Sequence, residues 1–180
     1  KLLVSMIPVI IIGLLFKDEI ESLFNQNLLL VGLMLLVTAL LLAFTFWSKP
    51  KEKGVSYFTS FIIGIAQAVA VMPGISRSGA TIATGLLSGV NKEKAAKFSF
   101  LMVLLPIIAA NFKSIYDGDL SRSESVDIEV LIIGFIAAFI SGAFACKWML
   151  KIVKRGKLIW FALYCAIIGF TAVIYSQFFA

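Results

Sequence analysis

The sequence predicts an all-α, polytopic membrane protein, and three observations carry that expectation. Hydrophobic residues make up 61% of the 180 residues and mean hydropathy is +1.02, while only 14% are charged; a soluble domain carries about 25% charge. Several apolar runs approach the ~20 residues needed to cross a hydrocarbon core. No polar face accompanies these runs, which separates them from the amphipathic helices of a soluble bundle. The remaining charges sit in short loops, so the net +6 reads as a positive-inside bias and not as a nucleic-acid surface. Cys146 and Cys165 lie in or beside apolar segments without metal-ligand spacing, and read as small buried hydrophobes.

Taken in order, residues 2–16 form an apolar run that is short for a span and holds a potential kink at Pro8. Residues 17–27 carry Asp18, Glu19 and Glu21 against Lys17, net −2, and read as a solvated loop. Residues 28–47 give a clean span ending on Trp47, a residue suited to the membrane interface. Residues 48–54 set Lys49, Lys51 and Lys53 against Glu52, net +2, and residues 91–97 set Lys92, Lys94 and Lys97 against Glu93, again +2. The segment 55–90 between these basic loops would cover ~54 Å as helix, less than two comfortable crossings of a ~30 Å core. Both of its flanks are basic, so both belong on the cytoplasmic side, and a re-entrant helix-turn-helix hairpin over 55–90 satisfies this most simply.

Residues 98–112 form the next span, with Pro106 as a kink. The loop 113–127 holds Asp117, Asp119, Glu124 and Asp127 against Lys113 and Arg122, net −2, and its Ser121-Arg122-Ser123 triplet reads as solvated sequence. A span over 128–149 offers Gly134, Ala137, Ala138, Ser141, Gly142 and Ala143 for close helix contact, and Lys147 near its end can snorkel. Lys151, Lys154, Arg155 and Lys157 follow, and residues 158–179 form the last span. No linker is visible, so residues 1–180 read as one transmembrane domain.

Chemistry concentrates in residues 67–81, QAVAVMPGISRSGAT. A helix entering through 62–72 is expected to break at Pro73 and Gly74 and to restart at Gly79. Between the two halves lie a guanidinium and two hydroxyls. A charge within a span costs ~2.5–3.5 kcal/mol on insertion scales, which marks Arg77 as functional by default. A helix N-terminus beside an Arg suits an anion, because free N–H groups and the dipole point at the ligand and the guanidinium grips phosphate bidentately. Structural pairing with a carboxylate is the competing role for Arg77. Ser76 is a candidate for contacting a scissile phosphate, as nucleophile or donor. Ser78 either caps the second helix or binds phosphate, and Thr81 bonds its own turn or a phosphate oxygen. Gln67 either binds substrate or makes a helix–helix hydrogen bond. Gly74 and Gly79 supply permissive dihedrals and close approach.

The core PGISRSGATI, preceded by GIAQ and followed by AAKFSFLMVLLP, closely resembles the undecaprenyl-diphosphate phosphatase family of the bacitracin-resistance type, and the similarity runs from Leu2 to near Ala180. The resemblance implies an integral membrane phosphatase of the bacterial inner membrane. Such an enzyme hydrolyses undecaprenyl diphosphate to undecaprenyl phosphate and inorganic phosphate, recycling the lipid carrier of peptidoglycan synthesis and so bearing on cell shape and bacitracin resistance. It implies an inverted repeat with two re-entrant hairpins and supports Ser76, Arg77 and Thr81 as important; with the residue reading above, the expected roles are catalysis by Arg77 and Ser76 and phosphate binding by Ser78, Thr81, Gly74, Gly79 and Gln67. The expected partners are a polyprenyl diphosphate lipid, the bilayer and a second copy of the chain, but not nucleic acid.

The family also carries an earlier repeat with a Glu-x-x-x-Glu motif and a Ser-Ser-x-Gly-His stretch, which nothing here matches, and the sequence has no His. The expectation is therefore that these residues are the C-terminal two-thirds of a longer protein and inactive alone. The general base and the ligands of a divalent metal (Mg or Ca) would then lie upstream. Lys92 and Lys97 stand where the family has an Arg and a Glu, so no salt bridge is carried over there. A lipid-phosphate flippase or secondary transporter, with the same anion-binding turn, is the alternative.

Overall fold

A computed structural model describes residues 1–16, 19, 20, 22, 28–48, 52–116 and 128–178. Among them the chain forms seven helices: α1 (Leu2–Leu15), α2 (Leu28–Trp47), α3 (Tyr57–Val69), α4 (Arg77–Leu87), α5 (Lys92–Tyr116), α6 (Ile128–Lys154) and α7 (Ile159–Phe178). Four of these, α2, α5, α6 and α7, are long and apolar enough to cross a membrane, and α1 and α3 are shorter apolar helices. The all-α, multi-pass expectation holds.

The short pair α3 and α4 sits at the centre. Helix α1 packs on α3, α2 packs on α4 and α7, and α5 packs on α4. Ile82, Ala83 and Leu86 of α4 bury against Ala95 and Ala96 of α5 and Leu42 of α2. A second cluster joins Met6 of α1, Ile63 of α3, and Phe98 and Met102 of α5. Helices α2 and α7 meet through glycines: a Cβ on Gly32 would lie 3.1 Å from the Gly169 carbonyl oxygen, and one on Gly169 would lie 3.0 Å from that of Gly32. Small residues permit this backbone approach, which drives helix association in lipid.

The two ends of the 55–90 segment come together. Lys53 and Val90 form an isolated parallel β-bridge, the Asn91 N–H donates to the Lys53 carbonyl at 3.0 Å, and the Asn91 side-chain amide donates to Glu52 at 2.9 Å. The break inside the segment begins earlier than the sequence predicts. Helix α3 ends at Val69 rather than at Met72, because residues 70–72 already turn through tight bonds from Val71 N–H to Ala68 and from Met72 N–H to Val69. Pro73 disfavours helical geometry in the residue before it, so the tightening precedes the proline. Helix α4 restarts at Arg77, two residues before Gly79, because Ser76 can cap it.

Four further expectations are corrected. Residues 91–97, read as a basic loop, begin helix α5: the Asn91 side-chain oxygen accepts the N–H groups of Glu93 at 2.9 Å and Lys94 at 3.3 Å. Glu93 then pairs with Lys97 at 2.7 Å and with Lys154 of α6 at 2.8 Å, which ties the start of α5 to the end of α6. Helix α6 continues past residue 149 to Lys154, and among the described residues nothing lies within 4 Å of a Cβ placed on Gly134 or Gly142, so its small residues make no close helix contact there. Cys146 on that helix is exposed, while Cys165 of α7 is buried as expected. The Ser121-Arg122-Ser123 triplet and most of the two acidic loops lie outside the described residues.

Candidate functional site

The site grows out of the α3–α4 break. Gly74 turns the chain with φ +92°, and a Cβ there would come within 2.5 Å of the Val31 carbonyl oxygen of α2, so both the dihedral and the approach require glycine. Ser76 follows as the N-cap of α4, its side-chain oxygen accepting the Gly79 N–H at 3.2 Å. Capping thus falls to Ser76, and the cap role considered for Ser78 is corrected: Ser78 already sits in the first helical turn. The Ala80 N–H donates to the Ser76 carbonyl at 2.8 Å. The N–H groups of Arg77 and Ser78 are then left at the open helix end, among the described residues, for a ligand.

A cavity of about 390 Å³ opens beside this helix end, with Gln67, Arg77, Ser78, Thr81 and Ser99 in its wall. Four residues singled out from the sequence therefore meet on one space, from two different helices. Arg77 is exposed and has no carboxylate within 4 Å among the described residues, so the structural ion pair considered for it is not found there. Gln67 is only 2% exposed, yet no hydrogen bond among the described residues engages its carboxamide, which opens on the cavity. Thr81 bonds its own turn, donating to the Arg77 carbonyl at 2.9 Å, and its hydroxyl lies 2.6 Å from that of Ser99. Ser76 and the glycines stand behind the wall: Ser76 caps, Gly74 turns, and Gly79 is buried against the Ser76 side chain.

Two residues of this arrangement were not singled out from sequence. Ser99 is the middle of the FSF segment on α5, and its buried hydroxyl braces Thr81. Thr38, fully buried on α2, accepts the Ser76 N–H at 3.1 Å. The available signal was a hydroxyl isolated in an otherwise apolar span, which in a membrane must find a partner.

The electrostatics point one way. A cation in the first turn of a helix faces the positive end of the dipole, an arrangement that disfavours the fold by ~0.3–1 kcal/mol unless an anion joins it. Around the cavity stand one guanidinium, one carboxamide, hydroxyls and two free N–H groups, with no carboxylate. That donor set fits a phosphate and does not fit a divalent cation. Elsewhere among the described residues no three His, Cys, Asp or Glu side chains come together.

Fold and site together define a polytopic membrane protein built around a cavity at a broken helix. The family described as Bacitracin resistance protein BacA matches residues 1–171. The chain is 54% identical to an undecaprenyl-diphosphatase of Bacteroides fragilis over 98% of its own length and 68% of that protein's. It is 54% identical to the Parabacteroides distasonis undecaprenyl-diphosphatase, covering 96% of itself and 66% of that relative. For the Christiangramia forsetii undecaprenyl-diphosphatase the values are 51%, 98% and 66%. The chain belongs to the BacA family, as the PGISRSGATI core indicated, and spans about two thirds of the length of these relatives.

Proposed function

We propose that the protein hydrolyses the phosphoanhydride of undecaprenyl diphosphate, releasing undecaprenyl phosphate and inorganic phosphate, with the diphosphate held in the cavity at the α4 N-terminus. The observation that carries this reading is Arg77: a cation at the positive end of a helix with no carboxylate partner among the described residues, on a cavity shared with Gln67, Ser78, Thr81 and Ser99. In this reading the guanidinium grips non-bridging phosphate oxygens through two parallel N–H···O bonds while the Arg77 and Ser78 N–H groups and the Gln67 carboxamide meet the others. As the bond between the terminal phosphorus and the bridging oxygen breaks, charge grows on the departing lipid monophosphate, and fixed donors stabilise it without reorganising. Ser78 offers a hydroxyl to the same oxygens. Ser76, behind the cavity wall, is proposed to act by capping the helix and so fixing the Arg77 and Ser78 N–H groups.

The hairpin over 55–90 is proposed to be re-entrant from the cytoplasmic face of a bacterial inner membrane and to form half of an inverted repeat. The pairing of Lys53 with Val90 supports this, since it returns the segment to the end where Lys97 and Lys154 gather on Glu93. Such a hairpin sets the polar turn within the core, where only protein-lined backbone is tolerated. The test is phosphate release from undecaprenyl diphosphate by the purified full-length protein. Release that disappears in Arg77→Ala supports the phosphatase. Movement of the lipid across vesicles without phosphate release would replace it by a transporter.

A further inference from the structure

Two cavities remote from the phosphate site lie end to end along α2 and α7. The first is an apolar groove of about 450 Å³, walled by Leu36, Leu40 and Ala43 of α2 and by Leu163, Ala166 and Phe170 of α7. It lies beyond the close contact of Gly32 with Gly169, towards the end of the bundle that carries Lys154 and Arg155. The second is a basic pocket of about 210 Å³, in which Phe46 continues the 36–40–43 stripe of α2 at helical spacing, and Arg155 and Gly156 precede α7. Lys92, at the start of α5, completes this pocket: its ammonium lies so near Gly156 that a Cβ there would meet it at 2.8 Å.

The charges in this pocket are unlike their neighbours. Lys97 and Lys154 are both held by Glu93, at 2.7 and 2.8 Å. Lys92 and Arg155 have no carboxylate within 4 Å among the described residues. Two unneutralised cations thus stand at the mouth of a dry groove, beside Trp160, a residue type that prefers the headgroup level. This is the pattern by which basic pockets between membrane helices hold anionic headgroups.

We propose that groove and pocket together bind one anionic glycerophospholipid, its phosphate between Lys92 and Arg155 and an acyl chain along α2 and α7. The charge of the pocket selects the anion, and the apolar groove selects a lipid over free phosphate. The site is separate from the diphosphate cavity, which is walled by α3, α4 and α5 and shares no residue with the groove or the pocket.

The experiment is native mass spectrometry of the purified protein titrated with phosphatidylglycerol, phosphatidylcholine or undecaprenyl phosphate. One phosphatidylglycerol should remain bound at concentrations where phosphatidylcholine does not. Lys92→Gln combined with Arg155→Gln should weaken its binding roughly 30-fold, at about fivefold for each of the two interfacial cations, whereas Lys154→Gln should leave it unchanged. Ala43→Phe, which narrows the groove, should weaken it with both cations in place, with retained phosphate release as the check on folding. Equal loss in Lys154→Gln would mean diffuse surface charge and overturn the site. Unchanged binding in the double variant, displacement by millimolar inorganic phosphate, or an equal loss of bound undecaprenyl phosphate in the double variant would each overturn it as well.

Discussion

Thr38 of α2 accepts the backbone N–H of Ser76 at 3.1 Å and donates its own proton to the Met34 carbonyl at 3.1 Å, so a membrane helix and the turn before α4 share one hydrogen-bond chain. The cap of α4 is therefore positioned from outside its own hairpin. Thr38→Val keeps shape and removes the acceptor, leaving the half-buried Ser76 N–H unsatisfied at a cost of about 1 kcal/mol. A lower melting temperature in detergent and reduced phosphate release are expected, with Thr38→Ser close to the parent in both.

Arg77→Ala should lower phosphate release by about 100-fold or more, the usual consequence of deleting one fixed donor to a developing oxyanion. Membrane insertion should be normal, because a charge is removed from an apolar stretch. Arg77→Lys should also be poor, since a point charge cannot reproduce the two-pronged fork. Phosphate assay and membrane fractionation of the three proteins check this, and near-normal turnover in Arg77→Ala would remove Arg77 from the site.

Gly74→Ala should destabilise the protein by at least ~1–2 kcal/mol from its positive φ alone. The approach of the new Cβ to the Val31 carbonyl adds to that cost. Thermal unfolding would read this directly, and a melting temperature equal to the parent's would contradict the turn described.

Ser99→Ala removes the partner 2.6 Å from the Thr81 hydroxyl, but Thr81 still donates to the Arg77 carbonyl. A loss of about 0.5–1.5 kcal/mol in stability is expected. The accompanying change in turnover should be far smaller than for Arg77→Ala, because Ser99 braces the cavity wall.

Cysteines introduced at Lys53 and Lys94 should be labelled from the same side of the membrane. The bridge between Lys53 and Val90 brings the two flanks of the hairpin to one end of the bundle, and Lys94 lies one helical turn further on. Labelling from opposite sides would turn the hairpin into an odd number of crossings.

Much of this was legible in the residues. The span 28–47 coincides with α2, and the last span differs from α7 by one residue at each end, because uninterrupted apolar runs leave a helix as the way to satisfy the backbone in lipid. The Pro-Gly-Ile-Ser-Arg-Ser turn announced itself by placing polar and helix-breaking residues inside such a run. The helical start of α5 was hidden because Lys92, Glu93 and Lys94 look like a solvated loop until Asn91 is seen to cap them.

Sequence alone determined that this is a membrane protein, where most of its helices run, and which cation stands at its broken helix, since hydropathy and a lone Arg in apolar surroundings are local properties. Tertiary structure decided the rest. It chose Ser76 over Ser78 as the cap, brought Gln67 onto the same cavity as Arg77, and set Thr38 and Ser99 behind them. It also separated the cations neutralised by Glu93 from those that are not. Several of these relations join distant residues, 18 positions apart for Thr81 with Ser99 and 61 for Glu93 with Lys154, and only the packing of one helix on another fixes which hydroxyl or charge finds which partner.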